Sequence, residues 1–203
     1  MTRNRLKQAA LRKFSEAGYE AASLADIAKE VGIKTPSIYA HFASKEALLL
    51  EIWNDLLDEY SEFMIQTVSM AGQMPVKEGL QHIVTQYGKF FKNDTMKYYF
   101  WGRLLMFPPA EFKERIVGDT WAADAPLFEK IYEIATVGIE KGVLREASVE
   151  DIAAAIAVLK EGYISWLIFY EPHDIEEQTA RIWHLFWNGL CNDQVSKRRS
   201  QDK

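Results

Sequence analysis

An all-helical fold is what this 203-residue sequence predicts, and three observations carry that prediction. Apolar residues recur at three- and four-residue spacing along almost the whole chain, whereas no stretch alternates convincingly with period two. The breaks between periodic segments carry helix-terminating chemistry: glycine past the end of an apolar run, Ser before its start, Pro in a first turn. Composition agrees, because 48% hydrophobic and 26% charged residues supply a packed core and lie away from the compositions that stay disordered.

The elements follow in order. A first helix is expected over about 3–17, with Leu6, Ala10, Phe14 and Ala17 on one face and Gly18 able to end it in the left-handed conformation. Ser23 with Asp26 three residues on resembles a capping box, starting a short helix through Ile27, Ala28 and Val31 that Gly32 stops. Thr35 offers an N-cap and Pro36 a first helical residue for a third helix ending near Phe42. Ser44 then caps a long helix whose apolar positions run from Leu48 and Ile52 to Tyr60 and Phe63. Beyond the break at 72–75, helices are expected over 76–92 and 95–107, closed by Pro108 and Pro109. A short segment at 111–117 and a helix at 126–141 lead to the last two helices, 149–169 capped by Ser148 and 175–190, parted by Pro172. The total is about nine helices, with the polar stretch 192–203 expected to fray.

Charge divides the chain. Overall it is −5, which by itself speaks against a nucleic-acid binder. Residues 1–45, however, carry eight basic and four acidic side chains, a surplus of four, which leaves −9 for the remainder. A basic head on an acidic body suggests two parts facing two partners. The single cysteine, Cys191, allows neither an intramolecular disulfide nor a cysteine-based metal site, which suits a reducing cytoplasm. No secretory signal is apparent, and the longest uncharged run, 63–76, is too short and too polar to span a membrane. His41, His82, His173 and His184 show no metal spacing, and neither a Gly-x-Ser-x-Gly elbow nor a phosphate loop occurs, so no enzyme, metal or cofactor is expected.

Two short helices joined by Val31-Gly32-Ile33-Lys34 and packed on a preceding helix make a helix-turn-helix. Ala28, Val31, Ile38 and Phe42 are suited to its core. Lys34, Thr35, Ser37 and His41 are left to approach base edges and phosphates, and Tyr39 to place its hydroxyl on a phosphate. Arg3 and Arg5 are either a minor-groove arm or disordered charge.

The stretch Ser23-Leu24-Ala25-Asp26-Ile27-Ala28-Lys29-Glu30-Val31-Gly32-Ile33-Lys34-Thr35-Pro36-Ser37-Ile38-Tyr39-Ala40-His41-Phe42, continuing through Ser44-Lys45-Glu46-Ala47-Leu48, resembles the signature of the tetracycline-repressor (TetR) family. Phe14-Ser15-Glu16-Ala17-Gly18-Tyr19 resembles its first-helix turn. The resemblance implies a helix-turn-helix DNA-binding domain over 1–46 and a ligand-binding and dimerisation domain over 47–203. The whole would be a cytoplasmic homodimeric regulator, usually a repressor, on a palindromic double-stranded DNA operator, without membrane association. It places Lys34, Thr35, Pro36 and Ser37 at the bases, and Ser23, Tyr39, His41 and Lys45 at phosphates. Pro36, where the family often has Gly, and Ala40-His41, in place of a common His-Tyr pair, are departures. Lys45 opposes the dipole at the start of its helix, which a phosphate held there would explain.

All six tryptophans lie beyond the head, and 87–107 alone holds eight aromatic residues. Core packing accounts for most. The surplus implies, for this family, a pocket for a small hydrophobic or amphipathic effector, with Phe63, Tyr87, Phe91, Trp101, Trp121, Tyr132, Glu161 and Trp166 as candidate lining. Glu161 interrupts the apolar line Ala153, Ala157, Ile164, Ile168, and is either an anchor for a cationic or hydroxylated ligand or a solvated or interface charge. The last two helices look suited to a two-fold four-helix interface, the final one through Ile182, Phe186 and Leu190.

Overall fold

The computed structural model describes residues 2–170 and 173–192. Within them the chain forms α1 Thr2–Ala21, α2 Leu24–Val31, α3 Lys45–Ala71, α4 Val76–Asn93, α5 Thr95–Met106, α6 Lys113–Glu140, α7 Val149–Phe169 and α8 Ile175–Leu190. Two 3-10 segments, Thr35–Ala40 and Ala110–Phe112, complete the helical content, and an isolated bridge pairs Leu144 with Cys191. Of the nine helices expected, eight are α-helices and the third is the 3-10 segment Thr35–Ala40. Pro172 and residues 193–203 of the polar stretch lie outside the described residues.

The caps work as their residue types dictate. Ser23 Oγ accepts from Asp26 N at 3.0 Å, Ser44 Oγ from Ala47 N at 3.0 Å and Ser148 Oγ from Asp151 N at 3.0 Å, each satisfying an amide that a helix start leaves without a partner. Gly32, at φ 79°, ends α2 in the left-handed conformation and returns its N–H to Ala28 and Lys29 carbonyls. Gly18, at φ 84°, breaks α1 one turn before its last residue instead of ending it. The cap of the 3-10 segment is Lys34, not Thr35: Ser37 N bonds Lys34 O at 2.9 Å, and no side chain closes this start.

The larger departure is α6. Separate pieces at 111–117 and 126–141 were expected, with proline as a helix start. One 28-residue helix runs through instead, with Pro126 inside it. An interior proline removes one hydrogen bond, at a cost of about 3 kcal/mol. Apolar anchors on both sides offset that loss: Ile116 before it and Leu127, Ile131 and Ala135 after it are all buried.

The described residues fall into two compact units, 2–61 with 94–123, and 62–93 with 124–170 and 173–192. In the first, α1 packs on α5, with Phe14 stacked on Phe100 at 6.5 Å, and Trp53 and Tyr60 of α3 hold Trp101 at 5.1 and 5.0 Å. In the second, α4 and α7 lie against each other so closely that a Cβ on Gly88 would come within 2.5 Å of Tyr163 Cε1. Helix α7 is the one described helix long and apolar enough to cross a membrane, by length and composition. Its apolar side, Ile152, Ile156, Tyr163, Ile164 and Leu167, is instead buried in protein.

Candidate nucleic-acid interface and effector cluster

The head is assembled by satisfying helix ends. Helix α2 finishes at Val31, whose carbonyl accepts Arg5 Nη2 at 3.0 Å. Glu30 accepts Arg12 Nε at 2.8 Å and Nη2 at 2.6 Å, and the Arg12 hydrogen bond holds its carboxyl below the ordinary range against a smaller opposing effect of burial. Ile27, Ala28, Val31, Ile38 and Phe42 form the helix-turn-helix core, all buried. What this leaves outward is short and polar. Lys34, Pro36, Ser37 and Tyr39 are exposed, Tyr39 at 58%, while Thr35 and His41 are half-buried. Lys34 makes no ion pair among the described residues.

Several basic residues have other work. Arg3 and Arg5 are neither a groove-reaching arm nor disordered charge. Helix α1 begins at Thr2, Arg3 pairs with Glu51 and lies 4.3 Å over the Phe42 ring, and Arg5 closes α2. Lys7 pairs with Asp55 and Glu51, and its hydrogen bond to Asp55 raises its pKa. The expected explanation of Lys45 also needs correction. Its ammonium donates to Ala22 O at 2.9 Å and Glu20 O at 3.3 Å and lies 4.4 Å over the Tyr19 ring. A lysine at an unfavourable helix start is thus accounted for by the electronegative end of α1. Ser23 is half-buried and its hydroxyl is engaged by Asp26.

Sequence reasoning overlooked Arg103. From α5 it donates to Ser15 O at 3.0 Å and Glu16 O at 3.1 Å, the carbonyls left open by the break at Gly18. Ser15 Oγ donates to Leu11 O at 2.7 Å and lies 3.2 Å from Met96 O on α5. Gly18, read as a helix end, announces unpaired carbonyls, but nothing in the sequence says which distant side chain reaches them.

The candidate lining residues separate. In the first unit, Trp101 is buried against Trp53 and Tyr60, committed to packing, while Trp121 is 66% exposed. In the second, Phe91 and Tyr87 are buried at 5.3 Å from each other, Phe63 lies 5.3 Å from Phe90, and Trp166 stacks 6.2 Å from Tyr163. Tyr132 is 40% exposed. Glu161 is exposed and accepts the Tyr87 hydroxyl at 2.8 Å. Beside it Lys160, 2% exposed, lies 4.0 Å from the Tyr87 ring centroid and 3.4 Å from carboxylate oxygens of both Asp124 and Glu161. Asp124 carried no sequence signal, since its partner is 36 residues away.

Residues 6–52 match the family model described as bacterial regulatory proteins, tetR family. Over 52 residues the chain is 38% identical to the HTH-type transcriptional repressor ComR of Escherichia coli K12, a match covering 26% of this chain and 25% of that relative. The chain therefore spans about a quarter of the length of the curated relatives that resemble its head. Solved structures that share the fold include two with bound ligands. The transcriptional regulator FadR of Bacillus subtilis in complex with stearoyl-CoA superposes with a TM-score of 0.64 at 18% identity, covering 92% of this chain and 98% of that one. A putative transcriptional regulator from Saccharomonospora viridis in complex with choline gives 0.68 at 18% identity, covering 94% and 97%.

Proposed function

We propose that this chain is a DNA-binding transcriptional regulator of the tetR type, a repressor released from an inverted-repeat operator when a small, largely apolar effector binds; the match of residues 6–52 to the tetR family model supports that reading. The observation that carries the reading is the outward edge of the turn and 3-10 segment, where Lys34, Pro36, Ser37 and Tyr39 are exposed next to an α2 capped by Ser23 and Gly32. Lys34, Thr35, Pro36 and Ser37 read bases; Ser23, Tyr39, His41 and Lys45 meet phosphates. Two copies present two such edges to successive major grooves, roughly 34–36 Å apart on an inverted repeat.

The same reading makes residues 1–46 the DNA-binding part and 47–203 the effector-binding and dimerising part of a cytoplasmic homodimer. Dimerisation through α7 and α8 is supported by apolar side chains left outward, Val158 at 74% and Leu185 at 73% exposure. Leu190, expected to share that face, is buried within its own chain, and Ile182 and Phe186 are half-buried, so the contact centres on Leu185. Effector binding belongs to the second unit's aromatic cluster around Tyr87, Phe91 and Trp166. The related structures hold an acyl-CoA and choline, ligands of opposite charge, so the fold alone does not fix the effector's charge.

The test is an in vitro selection of duplex DNA followed by titrations in increasing salt. Expected is a palindromic selected site, and for Ser37→Ala or Thr35→Ala a change in preferred bases. Lys45→Ala, at a temperature where it is fully folded, should weaken selected and random DNA alike and reduce the salt slope by about one contact. Failure to enrich any site above random DNA removes the reading.

A further inference from the structure

Lys160 is the most deeply buried charged side chain among the described residues, 2% exposed in the middle of α7. A buried ammonium needs compensation on every side. Here it has the face of Tyr87, 4.0 Å to the ring centroid, and the carboxylates of Asp124 and Glu161, each with an oxygen at 3.4 Å. The Tyr87 hydroxyl in turn donates to Glu161 Oε1 at 2.8 Å, fixing ring and carboxylate to each other. An aromatic face flanked by carboxylates is the chemistry that recognises an organic ammonium ion. Both carboxylate distances are longer than the roughly 2.7–2.9 Å of a charge-assisted hydrogen bond, so the nitrogen is held by the surrounding box more than by a locked ion pair. Glu161, 58% exposed, opens one wall of that box to solvent.

We propose that Tyr87, Asp124 and Glu161 form a primary alkylammonium site that the protein fills with its own Lys160, so that Lys160 bars cationic effectors from it. This rests on the effector reading above for its biological consequence, and of the two readings of Glu161 it sets aside the anchor for a cationic ligand: the place of that cation is taken. An incoming ammonium would meet Lys160 at contact distance, over a Tyr87 face that is already covered. Effectors seated here therefore present a neutral end to Lys160, and substitution of this one residue converts the site to a cation receptor.

The test is chemical rescue of the full chain. Lys160→Ala removes three methylenes and the ammonium, the shape of propylammonium. Adding propylammonium chloride to Lys160→Ala is expected to raise its melting temperature saturably, by roughly 3–6 °C at ten times the dissociation constant, relative to sodium chloride of equal ionic strength. Propanol should give no such rise, wild type should respond to neither propylammonium nor choline beyond the salt control, and Lys160→Ala/Tyr87→Leu should lose the rescue. If Lys160→Ala is unfolded, restoration of a cooperative transition by propylammonium is the expected result. A Lys160→Ala protein, folded or not, that is indifferent to propylammonium overturns the inference, as does wild type that binds choline or propylammonium saturably. These outcomes need neither operator nor natural effector, so they fail separately from the regulatory reading.

Discussion

At the scale of single residues, position in sequence and position in space give different reasons for the same side chain. Lys45 looks misplaced at a helix start until the carbonyls of Glu20 and Ala22 appear within its reach. Replacing it by Ala should therefore lower stability by about 1 kcal/mol through those lost bonds, measured by urea denaturation. Any further loss of DNA affinity at a temperature where the variant is fully folded reports a phosphate contact. His82 gives a pH prediction. Burial, with a smaller contribution from the charge of Lys89, lowers its pKa below the ordinary 6.5, and its Nε2 has no hydrogen-bond partner among the described residues. The unfolded chain thus takes up this proton more readily than the folded one. The stability this group contributes is fully present above the ordinary histidine range and is lost as pH falls from 6.5 towards the lower folded value. Urea midpoints taken between pH 7.5 and 5.5 should fall for wild type, and less steeply for His82→Gln.

At the scale of elements, the head is legible because capping chemistry is local. Ser23, Gly32 and Ser44 sit within three or four residues of the groups they satisfy, so sequence spacing suffices. Helix α6 shows where that fails: Pro126 carries a strong local preference for a helix start, and burial of Ile116, Leu127 and Ile131 on either side outweighs it. The end of α1 is non-local in the same way. Arg103 reaches back from α5 to Ser15 and Glu16, and Arg103→Ala should destabilise the first unit by about 1–2 kcal/mol, because two carbonyls lose a charged donor. Amide exchange at residues 19–22 should accelerate more than in α4 or α7; uniform acceleration would mean that Arg103 does not act on this turn.

For the whole molecule, the charge arithmetic acquires an address. The head's surplus of four is partly consumed internally, since Arg3, Lys7, Arg12 and Lys13 pair with Glu51, Asp55 and Glu30. What points outward at the recognition segment is Lys34 beside short polar residues, so DNA affinity should rest on few phosphate contacts per protomer and on two protomers acting together. Sedimentation of the full chain at micromolar concentration should show a dimer, and Leu185→Asp with Val158→Asp should shift it to monomer while leaving the helical content intact. A wild-type monomer under those conditions would remove the α7 and α8 contact.

The sequence by itself determined the all-helical class, the order of the elements and the helix-turn-helix, since periodicity, caps and turn glycines act over four residues or fewer. Tertiary structure alone decided which charges are spent inside. Lys160 and Glu161 are neighbours in the chain, but Tyr87 and Asp124 come from other helices, and only folding brings an aromatic face and a second carboxylate to one ammonium. Pairings over 36 and 74 residues leave no periodic trace in the sequence, because many partners satisfy the same charge equally well until the backbone sets which of them are near.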